Sequence, residues 1–195
     1  MLSELEIKRQ IFHFIAGAIF VALIYFEIIN AFITGVIFFV ILLVSLIGKK
    51  YKIPVLYNLV QQVDRPGDFK RLPGKGGILF VLSVFLSLVL FEKDIAMASI
   101  IILAVGDSMA PLIGQYGSVK HPINEKKYLE GVVAGGFLAF LAAMIFVIPL
   151  EAALASVFAM LAEGIDLKLG IAQVDDNVTM PLVAGAVMWI VRYVL

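Results

Sequence analysis

Residues 100–117, Ile100-Ile101-Ile102-Leu103-Ala104-Val105 running straight into GDSMAPLIGQYG, decide how this chain is read. The six apolar residues suit a helix surrounded by a non-aqueous phase, yet Asp107 follows before any turn signal. A carboxylate inside a membrane helix costs roughly 2.5–3.5 kcal/mol on insertion scales, and it persists mostly where it has a partner or a task. Pro111 has no N–H to give to the carbonyl four residues earlier, which is that of Asp107, so both oxygens of one residue become available. Gly106, Ala110 and Gly114 recur every fourth residue and Gly117 continues the face, which lets another backbone or a ligand come close. Plain helix packing explains the small residues taken alone. Beside Asp107 and Pro111, a ligand site is the favoured reading.

The surrounding sequence bears out a membrane environment. Its 195 residues are 62% hydrophobic and 15% charged, with mean hydropathy +1.05, too apolar to hide inside one soluble core. With no cysteine there is no disulfide, thiolate metal site or redox pair, and two histidines cannot hold a zinc ion unaided. Any metal would be held by oxygens, which suits magnesium. Net charge is zero, so the informative quantity is where the charges lie.

A helix needs about 20 residues to cross the hydrocarbon layer. By that rule the chain holds about seven spans, near residues 10–28, 30–48, 76–92, 94–113, 128–147, 149–163 and 177–194. The sixth is short, and Pro149 marks its start. The first span follows Lys8 and Arg9 as a signal peptide would. It is long enough to cross, however, carries His13, and is followed by further spans, so it reads as a retained helix.

With the N-terminus in the cytoplasm, Lys8, Arg9, Lys49, Lys50, Lys52, Arg65, Lys70, Arg71, Lys75, Lys120, Lys126, Lys127 and Lys168 fall on the cytoplasmic face. Of the 15 lysines and arginines only Lys93 and Arg192 fall outside. The external turns are tight, whereas the cytoplasmic segments are long and polar, which is where function is expected. Glu27, Glu92, Asp94 and Glu151 read as external rim residues. No internal repeat is visible, so residues 1–195 read as one domain: an all-α, polytopic bundle of about seven transmembrane helices.

Helix dipoles sharpen the reading. Odd-numbered spans present their partly positive N-terminal ends to the cytoplasm, so Lys75 in PGKGG and Lys127 in KKYLEG are badly placed. Even-numbered spans present their partly negative ends there, yet Asp107 and Glu163 lie near those ends. A bound anion beside the lysines and a bound cation beside the acids removes both mismatches, and a nucleoside triphosphate with magnesium supplies both. The alternative, that the acids merely pair with the lysines, is equally weighted on this pattern alone.

Other residues join the set. HPINEKKYLEG returns Lys126, Lys127 and Glu130 to the same face, the mix of cations and carboxylates that phosphoryl transfer uses. Asp175, Asp176 and Asn177 stand at the mouth of the last span, and helix capping accounts for one of them. Lys75 flanked by Gly74 and Gly76 suits phosphate contact, although GxxxxGK[ST] is absent. His13 shares a helix face with Arg9 and reads as support or a phosphate contact.

Taken in order, these segments resemble the dolichol kinase and phytol kinase family of CTP-dependent polyprenol kinases, which is related to the phosphatidate cytidylyltransferases. ELEIKRQIFHFIAG looks like that family's N-terminal pattern at Glu6, Lys8, Arg9, His13 and Gly17. GKGG is similar to its basic-glycine segment. GDSMAPLIGQYG is similar to its GDxxAxxxGxxxG-like element at Gly106, Asp107, Ala110 and Gly114, with Gly117 one residue short of the spacing. KKYLEG resembles K[ST]xEG at Lys127, Glu130 and Gly131, with Tyr128 where a small hydroxyl residue is usual. Glu163 and Asp175-Asp176-Asn177 look like the closing acidic elements.

The resemblance implies transfer of the gamma phosphate of CTP, with magnesium, to the hydroxyl of a membrane isoprenoid alcohol such as a polyprenol or dolichol. The expected catalytic residues are Asp107, Lys127, Glu130 and Asp176. The expected metal ligands are Asp107, Glu130, Asp175, Asp176 and Glu163. Nucleotide contacts are expected from Arg9, His13, Lys75, Gly76, Gly106, Gly114, Gly117, Lys120 and Asn177. The expected partners are the nucleotide, the lipid alcohol and the bilayer. No nucleic acid is expected, and a homo-oligomer is compatible with the sequence. The chain length suits a prokaryotic plasma-membrane protein with its site on the cytoplasmic face. Two other readings compete: a cytidylyltransferase making a CDP-lipid, disfavoured by QVDDNVTMPL at the last element, and a small transporter in which Asp107 carries a proton or cation.

Overall fold

The computed structural model describes residues 2–51, 60, 64, 72–125, 127–164, 168–169, 172–173 and 175–194. Among these lie seven helices: α1 (Glu4–Tyr25), α2 (Ala31–Tyr51), α3 (Lys75–Leu90), α4 (Lys93–Gly114), α5 (Leu129–Ala143), α6 (Pro149–Gly164) and α7 (Asp176–Val194). A two-residue antiparallel pair, β1 (Lys168–Leu169) with β2 (Ala172–Gln173), precedes α7 and is a small departure from the all-α expectation.

Local sequence sets the helix ends. The Ser3 hydroxyl caps α1 by accepting the Glu6 N–H, and Glu4 and Glu6 lie in the first turn where the helix dipole favours acids. α1 closes in a Schellman arrangement: the Ile28 N–H reaches the Leu23 carbonyl and the Glu27 N–H that of Ile24, with Glu27 left-handed at φ 59°. Asn30 caps α2 through its side-chain oxygen, and Lys49 and Lys50 complement the other end of that dipole. Gly74, at φ 79°, makes the turn into α3.

The helices fall where the sequence places spans, but their lengths correct the count. By length and composition α1, α2, α4 and α7 suffice to cross a membrane. α3, α5 and α6 have 16, 15 and 16 residues, about 24 Å of helix at 1.5 Å per residue, against a hydrocarbon layer of about 30 Å. The fifth is cut short because residues 144–147 coil into tight turns ahead of Pro149, whose ring holds the preceding residue out of helical geometry.

α4 is the central element. It packs against α5, α1, α7, α6 and α3, and Ile95, Ile100, Ile102 and Leu103 are wholly buried around it. Backbones touch where small residues meet: a Cβ on Gly131 would lie 2.2 Å from the Ala110 carbonyl oxygen and 2.7 Å from the Gly114 Cα, and one on Gly17 would lie 2.2 Å from the Ala104 Cβ. α2 packs against α3, with Gly35 under the Phe85 ring. The outer faces carry exposed Phe32, Phe39, Phe137 and Ile145, a surface that suits lipid better than water.

The helices alternate in direction, so the bundle has two chemically distinct ends. At one, Arg192 near the end of α7 gives Glu151 two hydrogen bonds, at 2.9 and 2.8 Å, and also pairs with Glu92 and Asp94. Tyr193 donates to Glu92 as well. Glu151 is therefore not a rim residue: it is 2% exposed, sealed by the guanidinium. Lys93 pairs with Glu27 at 2.9 Å at the same end. The other end gathers the starts of α1, α3, α5 and α7 with the ends of α2, α4 and α6. Lys52, Arg65, Lys70, Arg71 and Lys126, expected at that end, lie outside the described residues, as does the Lys168 side chain.

Replacing Gly131 by leucine forces α4 and α5 apart. Its expected cost is at least the ~1–3 kcal/mol typical of overpacking, read as a lowered midpoint in thermal unfolding of detergent-solubilised protein. Gly76→Ala, where nothing lies within 4 Å of the added carbon, leaves that midpoint unchanged.

Candidate active site around Asp107

Asp107 lies about two turns before the end of α4. Because α1 runs antiparallel on α4, His13 arrives beside it, Nε2 3.8 Å from Asp107 Oδ2, with its ring edge-on to Phe80 at 4.9 Å. One turn nearer the end, Arg9 pairs with Glu6 at 2.6 Å, and the buried Gln10 amide donates to the same carboxylate. Leu2 ties the start of α1 to α4 by donating its N–H to the Gln115 side chain.

The two lysines that the dipoles disfavour both find acids. Lys127 Nζ donates to Glu163 Oε1 at 2.6 Å and to the Glu163 carbonyl at 2.8 Å, joining the start of α5 to the end of α6. Lys75 Nζ lies 3.0 Å from Asp175 Oδ2, joining α3 to the residue before α7. Burial opposes the charge of Asp175, but the Lys75 ammonium and the Asn177 donors outweigh it, holding the carboxyl below its usual range. Pairing of acids with lysines, one of the two readings of the dipole mismatch, is thus present in the folded chain.

The pairing is incomplete in an informative way. Among the described residues, the buried side-chain atoms without a hydrogen-bond partner are Arg9 Nε, His13 Nε2, Glu163 Oε2, Asn177 Oδ1 and the hydroxyls of Ser108 and Ser156. The first four belong to this end. Buried polar atoms are rarely left unsatisfied, so a guanidinium N–H, an imidazole nitrogen, a carboxyl oxygen and an amide oxygen without partners at one end of the bundle call for a charged or polar ligand.

Space exists to receive it. A cavity of about 240 Å³ is lined by Glu6, Arg9, Asp107, Lys127, Glu163 and Asp176, with Gly114 and Tyr128 in its wall. A second, of about 340 Å³ and mostly apolar, is lined by Phe12, His13, Ala16, Ile41, Val44 and Phe80, and Arg9, Gln10 and Asp107 border both.

Several expected residues are placed elsewhere. Glu130 turns to the loop after α4, accepting the Ser118 N–H at 2.7 Å and the Val119 N–H at 3.0 Å, because those amides would otherwise lack acceptors. It clamps the loop rather than facing the cavity. Lys120 extends over the Tyr128 ring at 4.2 Å and reaches its hydroxyl, so it borders neither cavity. Gly106 and Gly117 serve packing: added carbons would meet Met160 Sδ at 3.0 Å and Glu130 Oε2 at 2.6 Å. Gly114 both abuts Gly131 and borders the polar cavity. Gly76, by contrast, faces open space beside the apolar cavity.

The structure also brings in residues the sequence reading passed over. Asp64 accepts the Gly74 N–H at 2.6 Å, and the Ser45 hydroxyl donates to the Pro73 carbonyl, so two side chains remote in sequence hold the turn that aims Lys75. Gln10, which joins Glu6 of the N-terminal pattern, carried a signal only as a polar residue in an apolar helix. No sequence signal tied Asp64 to Gly74.

The donor set fits a hard cation in its chemistry: all candidate ligands offer oxygen, and Glu163 Oε2 and Asn177 Oδ1 lack partners. Among the described residues no three His, Asp or Glu side chains stand close enough to hold an ion by themselves. That arrangement suits magnesium, which is commonly held by one or two carboxylates together with substrate phosphates.

Comparison with known proteins adds a chemical context. The chain is 27% identical over 187 residues to an uncharacterized protein of Methanocaldococcus jannaschii, covering 94% of this chain and 92% of that one. It is 32% identical over 148 residues to "Probable phytol kinase 1, chloroplastic" of Glycine max, and 31% identical over 139 residues to "Probable phytol kinase, chloroplastic" of Zea mays. These alignments take in 67% and 64% of this chain but 48% and 46% of the plant proteins, so the chain spans about half the length of those relatives. No family profile and no solved structure matches the chain.

Removing Lys127 leaves the nearly inaccessible Glu163 carboxylate without its cation. Lys127→Met is expected to destabilise the detergent-solubilised protein, by up to the ~3–5 kcal/mol that removing one partner of a buried pair costs. Adding Glu163→Met in the same chain should recover most of that loss.

Proposed function

We propose that this protein is an integral membrane kinase, transferring the gamma phosphate of CTP to the hydroxyl of an isoprenoid alcohol. The observation that carries the reading is the set of unsatisfied charged and polar atoms around Asp107, bordering a polar cavity at one end of an apolar bundle. The similarity to two plant proteins named as probable phytol kinases supports both the phosphoryl chemistry and the class of acceptor.

Within that reading, a triphosphate and its cation carry both partners that the site needs. Phosphate oxygens take Lys127, Lys75 and the unpartnered Nε of Arg9, while Asp107, Glu163, Asp175, Asp176 and Asn177 turn to the cation, so the two acids that the lysines release gain a new partner and Arg9 keeps Glu6. Magnesium, when bound, neutralises charge on the phosphate oxygens. His13 supports Asp107 from α1. Glu130 acts on the loop that carries Lys120 and Tyr128, as a positioning residue. The alcohol oxygen forms a bond to the gamma phosphorus while the bond from that phosphorus to the bridging oxygen breaks. CDP departs, and the hydroxyl proton passes to water in the cavity.

The short helices α3, α5 and α6 are accommodated by burial against α4 and α7 and by local thinning of the bilayer. The Asp107 end is placed toward the cytoplasm, a reading supported by the excess of lysines and arginines in the segments at that end of the sequence-derived topology.

Membranes containing the protein, given phytol and CTP labelled at either the alpha or the gamma position, test this. Gamma label in the lipid is the expected result. Alpha label in the lipid means nucleotidyl transfer, and no label in either case removes the enzyme reading for this acceptor. Asp107→Asn should lower the rate by about 10²–10³-fold, the scale for losing one charge-stabilising group, while the protein still inserts and melts normally.

A further inference from the structure

α1 and α2 are joined by a tight turn, yet each packs on a different partner: α1 on α4 and α2 on α3. Joined at residues 26–30, they hardly pack on each other, and toward the charged end both face one cavity. There the apolar cavity of about 340 Å³ opens, walled by Phe12 and Ala16 of α1, Ile41 and Val44 of α2, and Ile78 and Phe80 of α3. Phe12 and Val44 are 56% and 40% exposed, so the outer edge of the cavity is continuous with the apolar surface of the bundle. Its inner edge is polar: His13, Asn177 and Asp107 border it, and His13 Nε2 and Asn177 Oδ1 are buried atoms without hydrogen-bond partners.

A site with an apolar wall, a lateral opening and two unsatisfied polar atoms at its inner end fits one kind of molecule: a single-chain apolar alcohol that enters sideways, hydroxyl first. We propose that the cleft between α1 and α2, floored by α3, is the entry path and binding site of the acceptor alcohol. It places the hydroxyl where the apolar and polar cavities meet, at Asp107. This inference rests on the kinase reading for its choice of ligand. A similar groove on the other side of the bundle, between α5 and α6, is lined by Val133, Phe137, Ala153 and Val157 and lacks any charged residue. Its one polar side chain is Ser156, and it meets the polar cavity only at Val132, whereas the α1/α2 cleft shares Arg9, Gln10 and Asp107 with that cavity.

Apolar side chains enlarged at the cleft mouth should obstruct the alcohol and spare the nucleotide. Val44→Trp and Ile41→Trp are each expected to raise KM for phytol at least about tenfold, equivalent to ~1.4 kcal/mol, with KM for CTP unchanged. Val133→Trp, in the opposite groove, should change neither. An unaltered KM for phytol in both cleft variants, or a raised one in Val133→Trp, overturns the proposal, and an unchanged KM for CTP excludes misfolding as the cause. A diazirine-bearing isoprenoid alcohol, photolysed in membranes holding the wild-type protein, gives a readout independent of turnover. Label on the peptides containing Phe12–Ala16 and Ile41–Ser45 supports the cleft, and label confined to residues 132–161 overturns it. If cleft labelling occurs while no phosphate is transferred from CTP, the kinase reading fails and the lipid site stands.

Discussion

The contact of two backbones positions the α5 side of the charged end. Gly131 of α5 leaves no room for a side chain against the Ala110 carbonyl, and Gly135 sits equally close to Gly106 and Ala110. With α5 pressed so near α4, Lys127, four residues before Gly131, projects across the end of α4 to reach Glu163 on α6. The same contact brings Tyr128 and Val132 into the wall of the cavity that contains Asp107. Apolar burial around α4 supplies the stability, and this close approach supplies the geometry.

The two ends of the bundle solve the same electrostatic problem differently. A charge within an apolar bundle must be paired and hydrogen-bonded to be tolerated. At the Arg192 end the solution is closed: one guanidinium serves Glu151, Glu92 and Asp94, and Glu151 spends both oxygens on it. At the Asp107 end the lysines and acids pair, yet Glu163 keeps one oxygen, Asn177 its oxygen and Arg9 one nitrogen without partners. A saturated cluster holds helices together. An unsaturated one also holds them, but it retains capacity for a ligand of matching charge.

The spacing argument worked where chemistry and packing required the same thing and faltered where they did not. Lys75 and Lys127 stood out in the sequence because a charge misplaced against a helix dipole needs a counterpart, and the folded chain supplies an acid for each. The small residues of GDSMAPLIGQYG carried an ambiguous signal, since a close helix neighbour and a close ligand demand the same absence of side chain. Packing claims Gly106 and Gly117, while Ala110 and Gly114 border the cavity. Glu130 was misleading for a similar reason: a carboxylate near a phosphate-like motif and one that clamps a loop look identical in a sequence.

Local pattern alone determined the seven apolar helices and their alternation, because hydrophobic period and caps are properties of short segments. Only the tertiary structure decided which helices are too short to span unaided, that α1 and α2 part company to open a cleft, and that Asp64 and Ser45 hold the turn before Lys75. Those features arise from contacts between residues far apart in the chain, such as a carbonyl filling the space beside a glycine, and short-range periodicity carries no record of them.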